Sequence, residues 1–177
     1  MSILDLFRWI QDTAPMTALR ESALVYPIVM TGHLTGMALF GGMIAITDMR
    51  LLGWAMRSTP VDDVVEQLRV WKQIGFVMVV GCGAMLLGSK AELYYYNPFY
   101  WTKMALLFLV GVHALAFRSV YRNPTAFPGK AKVAACLSLL IWVGLVTAGR
   151  SIAYWDVPEN LTPVYGTEGP TTHHSRH

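Results

Sequence analysis

The chain has 177 residues, of which 54% are hydrophobic and only 14% charged, with a net charge of +3. A soluble domain carries roughly 25% charged residues, so this composition excludes an ordinary soluble enzyme. The small positive balance sits at the ends of apolar runs, where it reads as a topology signal and not as a nucleic-acid surface.

An all-α fold is expected: an integral membrane four-helix bundle with an N-terminal amphipathic interfacial helix. Residues 1–156 form the membrane domain and 157–177 a polar tail. Residues 1–13 lack the basic start and long apolar core of a signal peptide, so the first span is expected to direct insertion. Over residues 3–12, Ile3, Leu6, Phe7 and Ile10 share one helical face, and Trp9 suits an interface. Pro15 is expected to close this helix.

The first span is predicted over about 24–52, with Pro27 tolerated in its first turn. After it, Thr59 is expected as an N-cap and Pro60 as the first helical residue of a short segment. There Asp62, Asp63 and Glu66 suit the helix N-terminus, and Val61, Val64, Val65 and Leu68 make an apolar stripe. The second span is predicted over about 70–88, with Gly75, Gly81, Gly83 and Gly88 as close-packing positions. Tyr94, Tyr95, Tyr96, Tyr100 and Trp101 form an aromatic belt.

The third span is predicted over about 98–121, starting at Pro98, and the fourth over about 131–154. Asn123, Pro124, Pro128 and Gly129 make the turn between them. The tail is proline-rich and polar, a composition that favours disorder. Lys and Arg are concentrated in the loops between spans one and two and between spans three and four. The positive-inside rule therefore places those loops in the cytoplasm and both termini outside.

An ionisable side chain inside a bilayer marks a functional site by default. His33 lies in the run Thr31 to Gly53, and His113 lies inside the third span. Neutral imidazole is a common axial ligand to haem iron. The two histidines are expected to hold one haem between parallel spans, although at about 1.5 Å per residue they differ in depth by up to roughly 9 Å. Gly32, Gly36, Gly41 and Gly42 are expected to leave flat surface for a porphyrin beside His33. Lys103 and Arg150 are expected to face its propionates. No C-x-x-C-H occurs, so the haem would be b-type and non-covalent.

Asp48 and Arg50 read as an interfacial ion pair, and Cys82 and Cys136 as small core residues. Met30, Met37 and Met43 read mainly as core filler. His173, His174 and His177 end the tail, and are candidate ligands for a metal or a second haem.

The stretch HLTGMALFGGMIAITDMRLLG (33–53), a second span, and then NPFYWTKMALLFLVGVHALAF (97–117) resemble small bacterial four-helix membrane proteins of uncharacterised function. They are more distantly similar to protoporphyrinogen-oxidase-like membrane haem proteins and copper-resistance D-type proteins. The shared pattern is His33 followed by Arg50, then Lys103 followed by His113. This resemblance implies a four-helix haem b protein of the bacterial inner (cytoplasmic) membrane.

The function expected is that of a transmembrane cytochrome b. It would pass electrons between a membrane quinol and an acceptor at the outer face, as a homo-oligomer. A haem enzyme acting on a porphyrinogen is one alternative, which would make the protein an oxidoreductase. The other is copper or other metal transport, with Met30 and Met37 beside His33 at helical spacing.

Overall fold

A computed structural model describes residues 2–56, 58–122 and 126–156, and the side chains of Asp62 and Arg122 are outside that description. The histidine-ended tail, Arg57 and the turn residues Asn123 and Pro124 also lie outside the described residues.

The described residues are helical throughout their ordered elements. They comprise α1 (Ile3–Gln11), α2 (Ala14–Glu21), α3 (Val25–Leu52), α4 (Val61–Gln67) and α5 (Arg69–Ser89). Then follow α6 (Ala91–Tyr96), α7 (Pro98–Ala116), α8 (Arg118–Arg122), α9 (Pro128–Ser151) and a 3-10 turn over Ile152–Tyr154. Four helices are long and apolar enough to cross a membrane: α3, α5, α7, and α9 with its 3-10 extension. This is an all-α, four-helix membrane bundle.

The amphipathic α1 starts as its sequence asks. Ser2 Oγ accepts from the Asp5 N–H at 3.1 Å, and Asp5 Oδ2 accepts from the Ser2 N–H at 2.7 Å, a reciprocal capping box. Those hydrogen bonds from Ser2 hold the Asp5 carboxyl below the usual carboxylate range. Pro15 does not merely close α1. It sits in the first turn of α2, where its missing N–H costs nothing, so a second short helix follows.

The apolar face of α1 lies on the aromatic belt. The Phe7 ring is 5.7 Å from Tyr95 and 6.4 Å from Tyr100, both edge-on. Arg8 Nη2 pairs with Glu92 Oε1 at 2.7 Å, and Gln11 Oε1 accepts from the Glu92 N–H at 3.0 Å. The surface helix is thereby clamped to α6. The Glu92 carboxylate in turn raises the pKa of Arg8.

Helix α3 ends in a left-handed residue, as helices often do. Gly53 has φ 77°, its N–H donates to Arg50 O, and the Trp54 N–H donates to Met49 O at 2.9 Å. Downstream, α4 begins one residue later than expected: Pro60 is the N-cap and Val61 the first helical residue. Thr59 instead offers its carbonyl to Arg50 Nε at 2.8 Å.

Helices α3 and α5 pack closely because glycines remove side chains between them. A Cβ on Gly75 would lie 2.7 Å from Phe40 N, and one on Gly36 would lie 2.8 Å from Met78 Cβ. Gly32 faces Cys82 in the same seam. Gly41 lies against Trp142 of α9 instead, while Gly42 and Gly81 face open space. Met30 packs on the cluster of Leu19, Val29 and Leu86 at the Val25 end.

Helix α9 is the hub of the other half, in close contact with both α7 and α3. Asn97 joins its far end to the start of α7. Its Oδ1 caps the Phe99 and Tyr100 N–H groups, and its Nδ2 donates to Ile152 O at 3.2 Å. Unlike those pairs, α3 and α7 make little close backbone contact. The third span also stops short of its expected end: the helix breaks at Phe117 and resumes as α8.

Candidate functional site

The polar groups of the spans separate into two places along the bundle. The first surrounds His33, on α3 near the Val25 end. This ring is 8% exposed and lies between α3 and α5. Its Cε1 would be 3.0 Å from a Cβ on Gly83, so the glycine makes room for the imidazole. His33 Nδ1 is 3.1 Å from Val79 O. A carbonyl only accepts, so this nitrogen carries the proton and Nε2 keeps its lone pair in the neutral ring. Ligating histidines are ordinarily oriented in this way, by a hydrogen bond from the other ring nitrogen.

Lys103 of α7 is the cation whose field reaches His33. Its Nζ lies beside Gly149 of α9, 3.7 Å from where a Cβ would stand. Arg150 turns away. Its Nη2 donates to the Tyr154 hydroxyl at 2.7 Å, and its guanidinium stacks over that ring.

The second place lies toward the Leu52 end. A cavity of about 390 Å³ opens there between α3, α7 and α9, with residues of α4, α5 and α8 also on its wall. Ile44, Val110, Ile141 and Trp142 supply apolar wall, and Asp48, Lys72, His113, Tyr121 and Ser138 supply polar groups. Asp48 is 1% exposed, although it belongs to an apolar span. The Tyr121 hydroxyl donates to its Oδ1 at 3.2 Å, and its Oδ2 has no hydrogen-bond partner among the described residues. Leaving a buried acceptor unpaired costs roughly 1–3 kcal/mol, and more for a charged one. Burial, with the Asp48 carboxylate beside it, pushes the Tyr121 pKa up, so this hydroxyl stays a donor at neutral pH.

His113 lines this second cavity and belongs to it. Its Nε2 is 3.0 Å from Ala134 O of α9, and its ring lies 6.1 Å from Tyr121. The carbonyl again fixes the proton, here on Nε2, so Nδ1 is the bare nitrogen.

The placement of the expected site residues is therefore uneven. Lys103 lies against Gly149 of α9, within electrostatic reach of His33. His33 and His113 do not face one another: fifteen residues of α3, roughly 22 Å, separate His33 from Asp48, whose cavity His113 lines. His113 presents Nδ1 to this cavity, on the side away from Ala134 O. Gly36 does not leave flat porphyrin surface, because α5 fills the space. Asp48 and Arg50 are not an ion pair, since each has its own partner on a different element. His173, His174 and His177 lie outside the described residues. Among the described residues no group of three or more His, Cys, Asp or Glu side chains is gathered to hold a metal ion.

The sequence reading missed Asp48 as a buried cavity group, together with Lys72, Tyr121 and Ser138. One signal was available for Asp48. Residues two apart on a helix do not face each other, so pairing with Arg50 was never geometrically open.

The chain belongs to a family of unknown function, DUF6644, whose match covers residues 22–155. No curated protein and no solved structure matches the chain.

Proposed function

We propose that this protein is a b-type haem protein of the bacterial cytoplasmic membrane, in which His33 would hold the haem iron. It would transfer electrons between a membrane quinol and an acceptor at the outer face. The observation that carries the reading is the way His33 is held. Val79 O takes the Nδ1 proton, and the bare Nε2 has no partner among the described residues. Lys103 stands close enough to act on His33 and suits an anionic propionate.

Bound haem b would supply one-electron redox chemistry. The chain's own residues fix the imidazole tautomer and place one cation within electrostatic reach. Haem bound here would have His33 but not His113 on its iron. The lysines and arginines of the two loops at the Leu52 end orient that end to the cytoplasm, with both termini outside. Apolar side chains on the free face of α7, such as Phe108 and Leu115, would meet lipid or another copy in a homo-oligomer.

The test is the absorption spectrum of protein purified from haem-replete cells. A b-type spectrum that disappears in His33→Ala is expected. A colourless preparation would overturn the proposal.

A further inference from the structure

We propose that the cavity around Asp48 binds the headgroup of a lipid-soluble quinol, in its reduced form. The choice of ligand class rests on the electron-transfer reading above, and the site itself rests on geometry. Its volume of about 390 Å³ is within the range of small-molecule pockets, roughly 300–1,000 Å³. It is partly open to the surroundings. Asp48 lies four residues from the end of α3, or roughly 6 Å along the axis. A headgroup bound there would sit near the membrane interface with its tail in lipid.

Beside the donors Lys72, Arg118 and Ser138, two acceptors on the cavity wall are left for a ligand donor. Asp48 Oδ1 is taken by Tyr121, the Ser138 hydroxyl stands beside the same carboxylate, and Oδ2 has no partner within hydrogen-bond distance among the described residues. His113 Nε2 gives its proton to Ala134 O, so Nδ1 is a second acceptor on the same cavity. A quinol offers two O–H donors at opposite ends of a flat ring, and Trp142 and Ile141 provide apolar wall for that ring. The oxidised quinone brings only acceptors. So does a phosphate headgroup, which would meet the unpaired Asp48 oxygen with repulsion despite Lys72 and Arg118 nearby.

The experiment titrates two probes into the full chain in lipid nanodiscs, reduced beforehand and under anaerobic conditions. One is decylubiquinol. The other is its bis-O-methyl ether, which keeps the ring and tail but loses both donors. Binding is read from tryptophan fluorescence, which includes Trp142. The quinol is expected to bind about tenfold or more tightly than the ether.

In Asp48→Asn that preference is expected to fall to the several-fold share that His113 Nδ1 supplies. Tyr121 would hold the amide oxygen, and the amide NH₂ would take the place of Oδ2. Equal binding of the two probes to the unaltered chain overturns the proposal, and that comparison does not depend on any variant folding. An undiminished preference in a folded Asp48→Asn chain also overturns it. The haem spectrum of the same samples separates the two readings. Selective quinol binding without haem would leave the site standing and remove the cytochrome; haem without selective binding would do the reverse.

Discussion

The Tyr121 hydroxyl donates to Asp48 Oδ1 at 3.2 Å, joining two residues that are 73 apart in sequence and on different helices. This bond ties α8, beyond the break at Phe117, to the last turns of α3. Tyr121→Phe leaves a buried carboxylate without its donor. A loss of roughly 1–3 kcal/mol is expected, read as a lower unfolding midpoint in detergent. Adding Asp48→Leu to Tyr121→Phe should restore part of that stability, because an apolar side chain needs no donor there. Two losses that simply add would show that the bond is not what holds α8.

The seam between α3 and α5 makes a sharper contrast. Gly75→Ala would drive a methyl group to 2.7 Å from Phe40 N, a backbone atom that cannot step aside. Overpacking of this kind costs roughly 1–3 kcal/mol. Gly81 lies on the same helix with nothing within 4 Å of an added Cβ. Gly81→Ala is expected to be neutral, or to stabilise by up to about 1 kcal/mol through lower unfolded-state entropy. Thermal unfolding of the two variants side by side tests the packing, and similar midpoints would contradict it.

Much of this fold is written in the apolar runs. A span of roughly 20 residues without charge has few alternatives, and α3, α5, α7 and α9 appear close to where those runs fall. Local chemistry was less legible. Pro15 is compatible with both the end of one helix and the first turn of the next. Phe117 carries no glycine or proline to announce a break.

The site was read in part, for a related reason. A histidine in an apolar run is visible as an anomaly, which is how His33 and His113 stood out. Which neighbour each one faces depends on helix rotation and on which spans touch, and the sequence does not record that. Asp48 lay four residues from the end of its run, where a charge ordinarily meets water. Only tertiary packing by Tyr121 and Ser138 makes it a buried group.

The clamp between α1 and α6 is expected to be specific to one buried carboxylate. Glu92 has a side chain that is 4% exposed, against 50% for its partner Arg8. Arg8→Met removes the charge that compensates Glu92 and should loosen α1. Hydrogen exchange over residues 3–11 is expected to accelerate, while α3 and α5 keep their protection. Restoring protection by Glu92→Gln in the Arg8→Met background would identify the uncompensated carboxylate as the cause. Unchanged exchange in Arg8→Met would mean that Phe7 and the aromatic belt hold α1 without the ion pair.

The two histidines are expected to part company in their variants, because each is fixed by a different helix. His33 Nδ1 is held by Val79 O on α5, and His113 Nε2 by Ala134 O on α9. If one haem were shared between them, losing either ring would change the iron in the same preparation. His113→Ala would then leave a five-coordinate, high-spin iron open to carbon monoxide. The observed placement leads to another outcome. His33→Ala is expected to purify with little or no haem. His113→Ala should keep the spectrum of the unaltered chain, and weaken decylubiquinol binding several-fold by removing one acceptor from the cavity. Absorption spectra with and without carbon monoxide, taken beside the quinol titration, distinguish the two. A His113→Ala variant that becomes high-spin and binds carbon monoxide where the unaltered chain does neither would return His113 to the iron, and would require α3 and α7 to close together when haem is bound.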